Sequence, residues 1–340
     1  MITNSAEFPT GSDSFRGTPN SKFLVSILIP CYNAAKWIEP AIASALSQTY
    51  ENVEVIVVDD GSTDCSLEII QSFGTKIHWE AREHRGGNAA RNRLLELSQG
   101  SWLQYLDADD YLLSPKIEQQ LEFLAQNPDT DLVYSPSIIQ HHCSQPDSQP
   151  EQVSKTLLPI PQPHDPWSLL ARWFLPQTGS SLWKKAAVID VGGWQADQPC
   201  CQEHELYLRL LRGGKKFGYC DYAGSVYRQW SESTVCKTDM GETYRRRLII
   251  TDQLEQHLIQ TQQLTESRQK QINQARFECA RIIWLRDQQW AKEIIDRIQD
   301  RDFIPSGDCA PETYRLMYRW FGFEIAEKIA VMKRQLVVSY

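Results

Sequence analysis

Apolar and polar positions in the first half of the chain alternate between two spacings, one typical of buried strands and the other of amphipathic helices. The runs 24–30 and 53–58 are almost wholly apolar and rich in β-branched residues, which predicts two buried strands. Between them, apolar residues recur at helical spacing through 34–48, which predicts a helix. The same alternation continues with predicted elements at 76–80 (strand), 87–98 (helix) and 102–106 (strand).

A repeated strand–helix order indicates an α/β fold with a mostly parallel sheet and helices on both of its faces. Polar segments follow three of the predicted strands, at 30–33 (Pro-Cys-Tyr-Asn), 59–61 (Asp-Asp-Gly) and 107–110 (Asp-Ala-Asp-Asp). Ligands of such sheets bind beyond the carboxyl ends of the strands. We therefore expect these three segments to meet at one rim of the sheet.

The second half of the chain is less regular and then becomes helical. Residues 136–166 are rich in Pro, Gln, Ser and His and are predicted to form a long loop, and 217–227 is predicted to be one strand. From about residue 236, apolar residues recur at helical spacing in polar surroundings. The predicted organisation is a disordered N-terminal tail at 1–22, an α/β domain at 23–235 and a helical region at 236–340.

Charge and cysteine content narrow the class of protein. The formal net charge of −8 and the pI near 5.5 argue against a nucleic-acid-binding protein, which would present a basic face. The sequence contains no apolar run of about 18 residues and no signal peptide at its start. Nine scattered cysteines without a CxxC pair are typical of reduced, buried thiols. We expect a cytoplasmic protein without a transmembrane helix.

The segment 107–110 carries the clearest chemical signal, since it places three carboxylates in four residues at a strand end. Carboxylates crowded together repel one another, and a divalent cation relieves that repulsion. Oxygen ligands suit Mg²⁺ or Mn²⁺. The alternative is a solvated turn, because Asp is common in turns. The apolar strand directly before the segment favours the metal.

Two further strand ends carry candidate nucleotide contacts. Asp59 can accept a hydrogen bond from the imide N–H of a uracil or from a ribose hydroxyl, whereas the alternative is a turn that Ser62 or Thr63 caps. Tyr32 can stack on a base, since every base offers a π face, and the alternative is an aromatic residue that packs in the core.

An arginine and a carboxylate, each near a predicted helix start, are further candidate site residues. Arg91 follows a Gly-Gly turn at a predicted helix start, where phosphate groups are favoured. Glu203 is a candidate general base, although helix dipoles also favour carboxylates there for structural reasons. The sequence contains neither GxGxxG nor GxxxxGK[ST], which counts against a dehydrogenase and a P-loop NTPase.

Taken in order, these segments resemble the family 2 glycosyltransferases, which have the GT-A fold. The resemblance covers roughly residues 23–230. The matching stretches are VSILIPCYN (25–33), VVDDGSTD (57–64), GNAARN (87–92), YLDADD (105–110), VGGW (191–194) and 203–210.

The resemblance implies an inverting sugar transfer from a nucleotide-sugar, with a UDP-sugar favoured, to the hydroxyl of a glycan, lipid-linked or protein acceptor. It implies Glu203 as the general base and a Mn²⁺ or Mg²⁺ ion on Asp109, the main ligand, and Asp107. The donor-binding residues that it implies are Pro30, Tyr32, Asn33, Asp59, Asp60, Arg91, Asp107 and Arg228.

The sequence departs from the family pattern in two places, a pair of residues and a single residue. Gln202 and Glu203 stand where Glu-Asp is common, and Trp230 stands where a His that binds metal or phosphate is frequent. These departures leave open an alternative, a catalytically weak or inactive nucleotide-sugar-binding scaffold on the same fold. The helical region leaves peripheral membrane contact open, because it contains aromatic residues at 320–323 (Trp-Phe-Gly-Phe) and the basic residues Lys328, Lys333 and Arg334. Packing of these residues within the chain, or homodimerisation, is favoured.

Overall fold

A seven-stranded sheet forms the centre of the computed structural model, which describes residues 23–143, 152–230, 239–298, 300 and 302–338. The predicted N-terminal tail lies outside these residues. A second, four-stranded sheet lies beside the first, and within the described residues four helices follow the two sheets in the chain.

The strands are β1 (Val25–Cys31), β2 (Val53–Asp59), β3 (His78–Ala81), β4 (Trp102–Tyr105), β5 (Tyr111–Leu112), β6 (Leu132–Tyr134), β7 (Ser137–Cys143), β8 (Gln152–Leu158), β9 (Leu182–Lys184), β10 (Phe217–Tyr219) and β11 (Ser225–Gln229). The helices are α1 (Ile38–Leu46), α2 (Ser66–Ser72), α3 (Gly87–Leu97), α4 (Lys116–Gln126), α5 (Pro166–Ala171), α6 (Lys185–Asp190), α7 (Gln202–Arg212), α8 (Met240–Gln260), α9 (Glu266–Ile283), α10 (Gln288–Ile295) and α11 (Glu312–Val338).

The large sheet has the strand order β10-β6-β9-β4-β1-β2-β3. All of its pairs are parallel except those of β9, which runs antiparallel to both β4 and β6. The prediction of an α/β fold with a mostly parallel sheet and a helical region after it is therefore confirmed. The order places β1 between β4 and β2, so the three strands that precede the polar segments are neighbours.

Apolar residues on both faces of the central strands explain why helices cover the sheet on two sides. In β1, Ile27 and Ile29 pack with apolar residues of α1 and with Ile70 of α2. Leu28, on the opposite face, belongs to a larger core with α3, α5 and α7. Burial of side chains this size contributes about 1.5–3 kcal/mol each to stability.

The small sheet corrects two predictions. Residues 136–166 do not form one long loop, because β7 and β8 pair as antiparallel strands within that range. The single strand predicted at 217–227 is two strands, with β10 in the large sheet and β11 in the small sheet. The order of the small sheet is β5-β11-β7-β8. Strand β7 contains polar residues and β8 is exposed, so neither shows the apolar pattern by which strands were predicted.

The helical region packs on the α/β part and also has a core of its own. Ile250, Leu254 and Leu258 of α8 join the large-sheet core, whereas Phe277 of α9 lies at the centre of a separate cluster. Arg276 of α9 ion-pairs with carboxylates of α8. No helix within the described ranges has the length and apolar character that a membrane crossing requires.

The last helix, α11, bends at Gly322, whose φ of 75° is outside the helical range. Phe323 is buried and meets the rings of Phe277 and Trp284 edge-on. Trp320, in contrast, is 75% exposed. The Arg334 side chain lies outside the described residues, and contact of this helix with a membrane or a second copy stays a prediction.

Lys116, the first residue of α4, is fully buried, and its Nζ has no hydrogen-bond partner among the described residues. Burial lowers the pKa of this amine well below its ordinary value. An unfolded lysine is charged at neutral pH, so unfolding takes up a proton between the two pKa values. The stability of the chain therefore rises with pH across that interval.

We expect Lys116→Met to raise the free energy of unfolding at pH 7 by about 1–3 kcal/mol, because it replaces an unsatisfied buried donor with an apolar side chain of similar length. The variant should also show a flatter dependence of stability on pH up to the lysine range. Urea denaturation between pH 6 and 10 measures both effects, with the exposed Lys76→Met as the control. A variant less stable than the unaltered chain at pH 7 contradicts the analysis.

Candidate active site

The carboxyl ends of β1, β2 and β4 form one rim, as the sequence predicts. Cys31 at the end of β1 lies in register with Asp59 at the end of β2. On the other side of β1, the backbone N–H of Leu106 donates to the carbonyl of Leu28 at 2.9 Å, so the segment from Asp107 begins beside the same strand. The three polar segments therefore share one edge of the sheet.

Asp59 lies almost fully buried at this rim, and its two carboxylate oxygens differ in their contacts. Oδ2 accepts a hydrogen bond from the backbone N–H of Ser62 at 3.1 Å. Oδ1 is buried and has no hydrogen-bond partner among the described residues. Leaving a buried acceptor unpaired costs about 1–3 kcal/mol, so this oxygen is suited to a hydrogen bond from a ligand.

Asn33 and Tyr32 extend the rim beyond β1. Asn33 has a φ of 49°, in the left-handed region that Asn tolerates better than most residues. Its N–H donates to the Ser62 hydroxyl and its side-chain oxygen accepts from the N–H of Thr63, which joins the two strand ends. The half-exposed Tyr32 ring stacks on His84 with 4.1 Å between the ring centres. Pro30 precedes them within β1 and is partly exposed.

Asp60 is buried and holds the loop before α3. Its carboxylate accepts hydrogen bonds from the backbone N–H groups of Arg85 and Gly86, the latter at 2.7 Å. His84 Nδ1 lies 3.0 Å from its Oδ2, and Arg82 Nε lies 3.7 Å from its Oδ1. Asp60 therefore fixes the loop that carries the stacking partner of Tyr32.

Arg91 on α3 connects the end of β4 with the start of α7. One guanidinium nitrogen donates to Asp107 Oδ1 at 2.7 Å, and the other donates to Gln202 Oε1 at 2.8 Å. The same side chain lies over the Trp194 ring at 5.0 Å. Because Arg91 is buried, its charge is compensated mainly by Asp107, and this pair sets where that carboxylate lies.

Asp109 is held from the opposite side by the small sheet. The indole N–H of Trp230 donates to Asp109 Oδ2 at 3.1 Å. Burial and the nearby charge of Asp107 raise the pKa of Asp109, and the Trp230 hydrogen bond offsets only part of that effect. The crowding of carboxylates expected from the sequence is therefore present at this turn.

Asp110 and Arg228 stabilise the backbone of the same turn. Asp110 Oδ1 accepts from the N–H of Arg228 at 2.9 Å, and the Arg228 guanidinium donates to the carbonyl of Asp109 at 3.0 Å. That guanidinium lies between the rings of Trp37 and Tyr111, at 5.1 and 4.5 Å from their centres. Arg228 therefore shapes the turn directly.

The two carboxylates Asp107 and Asp109 fit a divalent cation that shares its coordination with a ligand. Within the described part of the chain, no group of three or more His, Cys, Asp or Glu residues is arranged to hold a metal alone. Mg²⁺ is commonly bound by one or two carboxylates together with substrate phosphates. Burial, and then the charge of Asp107, raise the pKa of Asp109 and so disfavour its ionised form, and a cation at these carboxylates would offset both effects.

Glu203 lies in the first turn of α7, next to the residue that Arg91 holds. Its side chain is 23% exposed, and its Oε1 lies 3.6 Å from Nδ1 of His204. Burial opposes ionisation of Glu203, but the His204 ring and the charge of Arg91 outweigh it, so the pKa lies below the ordinary value. The carboxylate is therefore in its basic form at neutral pH.

Some contacts at the rim carry no signal in the sequence. His84, which stacks on Tyr32, and His204, which faces Glu203, were not predicted as site residues. Trp37 was read only as an apolar position of a helix, yet its ring packs against Arg228. Tyr32 is far from His84 in the sequence, and Trp37 is far from Arg228, so spacing gives no information on these two pairs. His204 directly follows Glu203 in α7, where it was read only as part of the helix.

Comparison with known proteins agrees with the order of these segments. The family model described as "Glycosyl transferase family 2" matches residues 26–164. This segment, called the family 2 segment below, is therefore similar to glycosyl transferase family 2. The family 2 segment contains the ends of β1, β2 and β4, while Glu203, Arg228 and Trp230 follow it in the chain.

Two curated relatives each match about a third of the chain. A Haemophilus influenzae protein described as an uncharacterized glycosyltransferase is 43% identical over 108 residues, which is 31% of this chain and 43% of that protein. The Escherichia coli glucosyltransferase WfaP is 40% identical over 103 residues, or 30% of this chain and 41% of that protein. The matches thus span less than half of each relative.

Solved structures share the fold at low sequence identity. S. aureus TarS in complex with UDP-GlcNAc has a TM-score of 0.53 at 14% identity, covering 81% of this chain and 89% of that one. A mannosyltransferase of Pyrobaculum calidifontis in complex with GDP-Man and Mn²⁺ has a TM-score of 0.51 at 15% identity, covering 95% and 82%. These likenesses support a GT-A-like architecture for the family 2 segment and the strands that follow it.

We expect Asp60→Asn to lower the free energy of unfolding by about 1–3 kcal/mol, because an amide N–H₂ would face backbone N–H donors. Hydrogen exchange should become faster at Arg85 and Gly86. The matched control is Asp129→Asn, since the Asp129 side chain is 84% exposed and pairs only with Lys216. Equal stability of the two variants would show that the Asp60 contacts do not hold the loop.

Proposed function

We propose that the chain is an inverting glycosyltransferase that moves a sugar from a nucleotide-sugar, a UDP-sugar by preference, to an acceptor hydroxyl. The observation that carries this proposal is the placement of Asp107 and Asp109, which Arg91 and Trp230 hold from opposite sides. We assign the catalytic domain to 23–235 and the helical region to 236–340.

The nucleotide is assigned to the ends of β1 and β2. Asp59 Oδ1, which is buried and unpaired among the described residues, would accept the imide N–H of a uracil. The half-exposed Tyr32 ring would lie against the base, with Asn33 and Pro30 beside it. WfaP is named for the donor UDP-Glc, and TarS was solved with UDP-GlcNAc, which supports the choice of uridine.

The donor diphosphate is assigned to the turn after β4. Asp109 and Asp107 would hold a divalent cation, Mn²⁺ or Mg²⁺, which neutralises charge on the leaving nucleoside diphosphate. The mannosyltransferase that shares the fold contains Mn²⁺, which agrees with this choice. Arg91 keeps Asp107 in place, and Arg228 keeps the backbone of Asp109 in place. Both arginines add positive charge near the diphosphate.

Glu203 is assigned as the general base. A sugar hydroxyl becomes an effective nucleophile only as its proton is accepted in the transition state. The Glu203 carboxylate would accept that proton while the hydroxyl oxygen attacks the anomeric carbon and the nucleoside diphosphate leaves from the opposite face. One such displacement inverts the anomeric centre.

The alternative of an inactive scaffold was motivated by Gln202 and Trp230. In the structure, Gln202 accepts a hydrogen bond from Arg91, and Trp230 donates one to Asp109. Both residues thus contribute to the arrangement of the carboxylates. These contacts favour the enzyme over the scaffold.

Calorimetric titration with UDP tests the donor site. We expect UDP to bind the unaltered chain in the presence of Mn²⁺ and to bind at least about tenfold more weakly without it, a difference of about 1.4 kcal/mol. Asp109→Ala should remove the effect of Mn²⁺, while the exposed Asp129→Ala should not. Metal-independent binding, or no binding of UDP, contradicts the assignment.

Substitution of the base separates catalysis from binding. Glu203→Gln keeps the size of the side chain but cannot accept a proton, so transfer should slow by about 10²–10⁴-fold with UDP affinity unchanged. Because the pKa of Glu203 lies below its ordinary value, the unaltered enzyme should lose activity only when the pH falls below the usual carboxyl range. Full activity of Glu203→Gln would rule out this base, and Glu205, which ion-pairs with Arg209, would then be tested in the same way.

A further inference from the structure

One face of the small sheet is directed toward the turn that carries Asp109. The register places Val226 beside both Tyr111 and Ile138, and it places Gln140 beside both Arg228 and Lys155. Since side chains two residues apart in a strand share a face, these positions lie on one side of the sheet. We call the following set the inner face: Tyr111, Gln140, His142, Lys155, Arg228 and Trp230.

Contacts between side chains connect the inner face into one surface. The Tyr111 hydroxyl donates to Gln140 Oε1 at 2.8 Å, and Gln140 Nε2 lies 2.8 Å from His142 Nε2. Trp37 packs beneath, with its ring centre 5.3 Å from that of His142 and 5.8 Å from that of Trp230. The Trp230 ring remains 45% exposed while its N–H holds Asp109. The surface therefore begins where the diphosphate site ends.

Lys155 gives the inner face an exposed positive charge in a protein with a net charge of −8, whereas Arg228 is buried against the Asp109 turn. Strands β5, β7, β8 and β11 contain Lys155 and Arg228 but no Asp or Glu. Lys155 Nζ lies 5.6 Å from the centre of the Tyr111 ring, and Lys36 Nζ lies 4.4 Å from that of Trp37. Both lysines are exposed, and neither ion-pairs with a carboxylate of the described residues.

We propose that the inner face is an acceptor subsite for a sugar that carries a negatively charged substituent, with phosphate as the chemical class. This proposal rests on the proposed glycosyl transfer. The exposed Trp230 ring offers a π face to the C–H groups of a sugar ring, since aromatic faces are electron-rich. Lys155 lies at the Tyr111 ring and Lys36 at the Trp37 ring, where they meet the anionic group, and the partly exposed His142 supplies a polar contact. The position next to Asp109 brings such an acceptor beside the donor sugar.

The test is a ligand-observed NMR titration of the full chain with UDP and Mg²⁺ at saturation, so that the donor site is filled. The probes are the 1-phosphates of glucose, galactose and N-acetylglucosamine, each compared with its methyl glycoside. We expect at least one phosphate to bind about tenfold more tightly than its methyl glycoside. Lys155→Ala should remove that preference, while Lys76→Ala, which removes an exposed lysine elsewhere, should preserve it.

Trp230 provides the second arm of the test. Trp230→Ala should weaken both members of a pair, whereas Trp230→Phe keeps an aromatic face and should retain most of the sugar affinity although it loses the hydrogen bond to Asp109. The proposal is overturned if a chain that binds UDP binds none of the phosphates, or if Lys155→Ala keeps the preference for phosphate. Displacement of the phosphates by UDP would also overturn it. Failure of UDP itself to bind would instead count against the proposed function.

Discussion

The architecture of the site depends on the Arg91–Asp107 ion pair at the end of β4. Three carboxylates follow that strand within four residues, and their mutual repulsion would otherwise displace the turn. Arg91 reaches Asp107 from α3 and also donates to Gln202 at the start of α7, so one buried guanidinium fixes both the proposed metal-binding turn and the neighbour of the proposed general base. Removing one partner of a buried pair is costly, because the other charge is left uncompensated.

The opposite side of the turn is held by different means. Arg228 donates to the Asp109 backbone and is enclosed by two aromatic rings, while the Trp230 N–H reaches the Asp109 carboxylate. Asp110 turns inward to the Arg228 backbone, which leaves Asp107 and Asp109 as the pair available to a cation. The small sheet therefore supports the turn to which we assign the diphosphate, and it carries the face to which we assign the acceptor.

The sequence predicts the elements of the fold that have a regular local pattern. Strands β1, β2 and β4 and helix α3 follow from apolar spacing, and the rim follows from the rule that parallel strands end together. The β7–β8 pair escaped prediction because β8 is exposed on both faces and shows no apolar alternation. The links from Trp230 to Asp109 and from Arg91 to Gln202 join residues more than 100 positions apart, and only the tertiary structure brings them together.

The central claim is that Asp107 and Asp109 hold a divalent cation together with the donor diphosphate. Anomalous diffraction at the manganese edge, from crystals grown with UDP and Mn²⁺, locates that cation directly. We expect a manganese peak at coordination distance from a carboxylate oxygen of Asp109, beside Asp107 and in contact with the diphosphate. A peak elsewhere, or UDP bound at the rim with no manganese next to Asp109, would contradict it.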